Sequence, residues 1–139
     1  MITIQSHVVA DRSTVWKCYT DPAHIVNWNA ASDDWCCPHA SNDCRVGGLY
    51  RARMESKDQS MGFDFEGTYY DVVEGERLAY TIADGRDVQI MFATMNGATQ
   101  VTIQFEAETM NPEDLQRQGW QAILDRFKLY TEKTVGERP

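Results

Sequence analysis

The chain has 139 residues, 42% of them hydrophobic and 24% charged, and a formal net charge of −8 at pH 7. That length and composition fit one soluble globular domain over residues 1–139, able to bury a core without disulfide staples. The anionic balance excludes a nucleic-acid binder, which needs a cationic footprint to displace counterions, and no run nears the roughly 18 apolar residues of a membrane span.

The chain opens with "ITIQSHVV", in which Ile2, Ile4 and Val8 alternate as in a strand. A signal peptide would show a basic region and then an apolar run, so the expected location is cytoplasmic, where thiols stay reduced. The four cysteines then read as free thiols or ligands rather than a disulfide framework. Asp11 can cap a short helix over "RSTVWKCYT", because its carboxylate can accept the free amide hydrogens of the first turn. Asp21-Pro22 repeats that logic ahead of "AHIVNW", since proline has the φ of a first helical position. The stretch "WNAASDDWCCPHASNDCRVGG", residues 28–48, shows little alternation and reads as a loop.

A run of strands follows. "GGLYRARMES" leads to a polar turn, then to "FDFEGTYYDVV" and "RLAYTI". "DVQIMFAT" is joined to "TQVTIQFEAE" through Asn96-Gly97, a strong short hairpin signal. Val88, Ile90 and Phe92 alternate with polar or smaller residues, as do Val101, Ile103 and Phe105, which predicts an antiparallel sheet with one dry face. The segment "NPEDLQRQGWQAILDRFKLYTEK" has Asn111 as a cap, Pro112 in the first turn, and Glu113 and Asp114 at the positive end of the helix dipole. Leu115, Gly119, Ala122, Ile123, Phe127 and Tyr130 recur at helical spacing and form an apolar stripe that must lie on the sheet. The fold class is therefore α+β: a twisted antiparallel sheet wrapped around a long C-terminal helix, with two short helices after the first strand. Such an arrangement leaves a cavity between helix and sheet.

Four stretches in this order carry a resemblance: "ADRSTVWKCYTDPAHIVNW", "RVGGLYRARM", "FEGTYYDVVEGERLAYTI" and "GWQAILDRFKLY". Together they make the chain resemble the START-like (SRPBCC, helix-grip) superfamily along essentially its whole length. Within it, the chain looks like the heat-shock-protein ATPase activator-like, or polyketide cyclase-like, group. It departs from that group at Val46, where a proline usually precedes the double glycine. The resemblance implies a helix-grip fold that binds a hydrophobic or aromatic small molecule between the long helix and the sheet.

On that reading Tyr50, Phe65, Tyr69, Ile90, Phe92 and Ile103 line the cavity from the sheet. Gly119, Ile123 and Phe127 line it from the helix, the glycine leaving volume open. Trp28 and Trp35 flank the 28–48 loop and form its rim, either clamping a flat ligand or anchoring the loop. Trp16 reads as core; Trp120 faces sheet or solvent.

Three sharper readings compete. Cys36, Cys37, His39 and Cys44 offer thiolate and imidazole ligands for zinc, but in no standard spacing, and no metal or cofactor is expected. Cys37 with His39 could form a nucleophilic thiolate pair. Glu66 could act as a buried general base, but Phe63 and Phe65 on the opposite strand face argue that Asp64 and Glu66 point outward to Arg51 and Arg53. His7 and His24 receive no role. The alternatives to a binding domain are thus a cyclase- or hydrolase-type enzyme using Glu66, Tyr69, Cys37 and His39 in the same cavity, or a co-chaperone-like protein-interaction module. The chain would be a monomer or a homodimer.

Overall fold

The computed structural model describes residues 1–136. Strand β1 (Ile2–Val8) is followed by helices α1 (Arg12–Thr20) and α2 (Pro22–Trp28). Then come β2 (Trp35–Asn42), β3 (Leu49–Ser56), β4 (Gly62–Val73) and β5 (Arg77–Ile82). Strands β6 (Asp87–Met95) and β7 (Ala98–Phe105) precede the long helix α3 (Glu113–Gly136). All strands pair antiparallel in one curled sheet of order β1-β7-β6-β5-β4-β3-β2. The helices and the sheet form the expected α+β, helix-grip arrangement.

Local chemistry sets the boundaries. Asp11 accepts from Thr14 N at 2.7 Å and Asp21 from Ala23 N at 2.9 Å, so each short helix has its side-chain cap. Asn96 (φ 52°) and Gly97 (φ 80°) turn β6 into β7 with the positive φ pair of a type I′ hairpin. On the inner sheet face Ile4, Val8, Val88, Ile90, Val101, Ile103 and Phe105 are buried against Leu124 and Phe127 of α3.

Two expectations need correction. Residues 35–42 are a strand, where the poor alternation predicted a loop. Pairing with β3 (Trp35↔Ser56 to Asn42↔Tyr50) supplies the order that the pattern lacks. The register shift between Cys36 and His39, with Pro38 on the free edge, hides the alternation. The inward face of α3 is also rotated from the predicted stripe. Phe127 of that stripe is buried, but Leu115 is 56% exposed, whereas Gln116, Leu124 and Thr131, outside the stripe, are buried and Trp120 is half-buried against the core.

Helix α3 also covers the free edge of β1. Arg117 donates to Thr3 O at 2.7 Å, Gln121 to Gln5 O at 3.2 Å and Lys128 to His7 O, while Glu132 accepts from Val9 N at 2.7 Å. Alternate outward carbonyls of the edge strand thus find side-chain donors on one helix.

Candidate functional site

A cavity of about 340 Å³ lies between α3, the α1–α2 region and the inner face of the sheet. Its walls are mostly aromatic. Trp28 donates its indole N–H to Cys18 O at 3.0 Å, which fixes the ring, and Tyr19 stacks on it with centroids 5.2 Å apart. Trp120 lies flat on Phe105 at 4.1 Å, and the edge of Phe65 meets it at 6.2 Å. Tyr80 meets Tyr69, Phe65 and Tyr50 at 5.8, 6.2 and 6.0 Å.

The double glycine helps to place Tyr69. Gly48 approaches the backbone so closely that a Cβ there would sit 1.9 Å from Asp43 O. Gly47 N donates to Tyr69 O and Tyr69 N to Gly48 O, which ties this turn to β4. The Tyr69 hydroxyl then donates to Asn42 Oδ1 at 2.8 Å.

The polar groups inside are few. Asn29 Nδ2 donates to the Tyr50 hydroxyl at 3.3 Å. Burial pushes the hydroxyls of Tyr19, Tyr50, Tyr69 and Tyr80 above the ordinary tyrosine value, so all four stay neutral at physiological pH. The charged residues of the lining are Arg86 and Glu108, both partly buried, beside exposed Phe63 and Asn111. Arg86 is held by Asp84 at 2.9 Å and by Glu106 O at 3.3 Å. Gln116 braces the rim loop by accepting from Glu108 N and donating to Glu108 O and Asn111 O.

Residues 9–132 match the family described as Activator of Hsp90 ATPase homolog 1-like protein. The chain belongs to this AHSA1-like family. The solution structure of an AHSA1-like protein from Aeromonas hydrophila is 41% identical, with 99% of this chain and 96% of that chain covered and a TM-score of 0.92. A solution structure from Cytophaga hutchinsonii is 43% identical over 99% of this chain and 96% of that chain, with a TM-score of 0.83. A Chromobacterium violaceum protein, 24% identical with 94% and 96% covered and a TM-score of 0.84, shares the fold. No curated protein matches the chain. The AHSA1-like family is consistent with the START-like superfamily.

This AHSA1-like chain distributes the sequence-predicted residues unevenly. Trp28, Tyr50, Phe65, Tyr69, Ile103 and Ile123 line the cavity. Ile90, Phe92 and Phe127 lie behind that lining: Phe92 packs against Trp16 and Tyr19, and Phe127 sits under Tyr19 and Trp28. Gly119 is outside the lining, and a Cβ there would meet nothing within 4 Å. Trp35 is on β2 beside Phe63, at 6.0 Å, in a second small cluster with Cys37, Ala52 and Met54. Trp28 is thus in the cavity lining, whereas Trp35 stands behind Phe63 of that lining.

The sharper readings meet specific geometry. Cys37 is buried with its Sγ 3.4 Å from the backbone oxygen of His39, while the His39 residue is exposed, so the thiolate–imidazole pair does not form. Burial pushes the Cys37 and Cys44 thiols up. Among the described residues no three His, Cys, Asp or Glu side chains are grouped to hold a metal ion. Glu66 pairs with Arg51 at 3.1 Å and Asp64 with Arg53 at 3.5 Å, which is the outer ladder expected from the strand alternation.

The sequence reading missed Tyr19, Tyr80 and Trp120 as lining residues. The alternation Leu78, Tyr80, Ile82 in "RLAYTI" carried the signal for Tyr80. The rim loop around Glu108 and Asn111 carried none, because its shape depends on a glutamine eight residues downstream.

Proposed function

We propose that this chain is a small-molecule-binding domain that holds a hydrophobic or aromatic ligand between α3 and the sheet. The observation that carries the reading is the cavity itself. Its 340 Å³ falls within the roughly 300–1,000 Å³ of small-molecule sites, and its lining has their usual make-up of apolar walls and few polar groups. A single-ring ligand fits about 150 Å³, so this volume suits two or three rings.

The co-chaperone-like reading draws on the family description, but such a module would have its interior filled by its own side chains. The free volume favours the ligand reading. The enzymatic alternative loses Glu66, which faces outward to Arg51, and loses the Cys37–His39 pair. As one domain over residues 1–139, the protein would act in the cytoplasm as a monomer or homodimer, without nucleic-acid partners. No helix among the described residues is long and apolar enough to cross a membrane.

Native mass spectrometry of the purified protein, set against its denatured mass, tests this. The expected result is an organic mass released on denaturation, or one taken up when apolar aromatic compounds are added. A chain that stays bare under both conditions would rule the reading out.

A further inference from the structure

We infer that the ligand of this cavity carries a neutral hydrogen-bond acceptor, of the aryl ketone kind, to which Tyr19 and Tyr80 donate. This deepens the proposed function and rests on it.

Four tyrosines line the cavity, and two have partners within the protein: Tyr50 accepts from Asn29, and Tyr69 donates to Asn42. The Tyr19 and Tyr80 hydroxyls have no hydrogen-bond partner among the described residues. They are not sealed in the protein either. The one side-chain oxygen that is both sealed and unpartnered among the described residues is Thr131 Oγ1, whereas Tyr19 and Tyr80 border the free volume. An unsatisfied hydroxyl in an apolar site is costly, and a bound acceptor relieves that cost.

Both rings are held in place before any ligand arrives. Tyr19 is stacked on Trp28 and edged by Phe92 and Phe127. Tyr80 is 5% exposed and packed by Tyr69 and Phe65, with Gly67 directly against its ring. Tyr19 and Tyr80 border the same free volume, and Tyr50, which also lines it, meets the Tyr80 ring at 6.0 Å. Tyr50 accepts from Asn29, so its own hydrogen is free to join them.

The chemistry selects the ligand group. A phenol donates a hydrogen bond better than it accepts one, and burial keeps these phenols protonated. A carboxylate would need a cation. Arg86 is the cation on the lining, and its guanidinium is already engaged by the Asp84 carboxylate and the Glu106 carbonyl. A neutral carbonyl on an aromatic frame satisfies the donors without burying charge.

The test is a matched pair of probes, fluorene and 9-fluorenone, which differ by one carbonyl. Each is titrated into the labelled protein and followed by amide and indole chemical shifts. The same is done for Tyr19→Phe, Tyr80→Phe and the double variant, which keep ring volume. The expected result is a preference for fluorenone over fluorene that drops about fivefold or more in the double variant, as loss of hydrogen bonds predicts. The carbonyl infrared band of fluorenone on the wild-type protein should also shift to lower frequency than in an alkane. Fluorene binding with an unchanged preference in the variants, or an unshifted carbonyl band, overturns this inference and leaves the binding reading intact. Failure of both probes to bind overturns the two together.

Discussion

Gly67 lies against the ring of Tyr80: a Cβ on Gly67 would sit 2.5 Å from Tyr80 Cδ2. The two residues are diagonal neighbours across β4 and β5, where Gly67 pairs with Ile82 and Tyr69 with Tyr80. The tyrosine ring occupies the space that a side chain would take. Gly67→Ala must therefore push the Tyr80 ring toward the free volume or strain the strand pair. Overpacking of this kind costs about 1–3 kcal/mol. Urea unfolding should show that loss, and uptake of a three-ring probe should weaken with it. An unchanged unfolding midpoint would contradict the close contact between Gly67 and the Tyr80 ring.

The ladder from α3 to β1 gives a second prediction. Arg117, Gln121 and Lys128 donate to Thr3, Gln5 and His7 carbonyls, groups that a second chain could otherwise pair with. Unprotected edges invite such pairing. Replacing all three residues with alanine should cost no more than about 1 kcal/mol per bond at these exposed positions. It should also make the protein associate as its concentration rises. Sedimentation velocity across a concentration series reads this directly; a variant that remains the same size as the parent would show that the ladder guards nothing.

Much of the fold was legible for a simple reason. Val88, Ile90 and Phe92, and then Val101, Ile103 and Phe105, alternate with the period of a strand, and Asn96-Gly97 marks the turn between them. Strand β2 was not legible. Cys36, Cys37 and Pro38 break the period, and the strand exists because β3 pairs with it and α2 packs on it. The site was half legible. Inner-face alternation finds Tyr50, Phe65, Tyr69 and Ile103, but it cannot separate a residue that borders free volume from one that fills the core. Ile90 and Ile103 pair across β6 and β7, yet only Ile103 reaches the cavity. Sheet curl and the positions of α1 and α3 decide that, and neither is written in a two-residue period.

The cysteines yield a third prediction. Cys37 is 3% exposed, and burial raises its thiol above the ordinary value. A raised value means less thiolate than a free cysteine has at the same mildly alkaline pH, and the thiolate is the species that alkylates. Cys36 is half-buried and next to it in sequence. Timed iodoacetamide labelling, with the sites read by fragment mass spectrometry, should therefore modify Cys36 well before Cys37 or the buried Cys18. Cys37 labelling at the rate of the unfolded chain would contradict its placement against Asn29 and the His39 carbonyl.

The tyrosine cluster predicts the response to alkali. Burial raises the hydroxyls of Tyr19, Tyr50, Tyr69 and Tyr80 above the ordinary value of 10. Below that pH both folded and unfolded chains keep these protons, and the stability they permit is fully present. Above it the unfolded chain releases them while the folded chain retains them, so the native state binds more protons and stability falls as pH rises. The urea midpoint should fall first as pH passes the ordinary cysteine value of 9.0, where the raised Cys37 and Cys44 thiols begin to count, and more steeply above the ordinary tyrosine value. The fall should be shallower in a variant carrying Tyr50→Phe and Tyr80→Phe, which removes two of the groups that drive it. Phenolate absorbance gives the complementary reading: in the folded protein these four tyrosines should stay silent until the chain unfolds. Their ionisation near the ordinary value, with the fold still intact, would show the cluster to be open to water and would remove the basis for treating its hydroxyls as fixed donors.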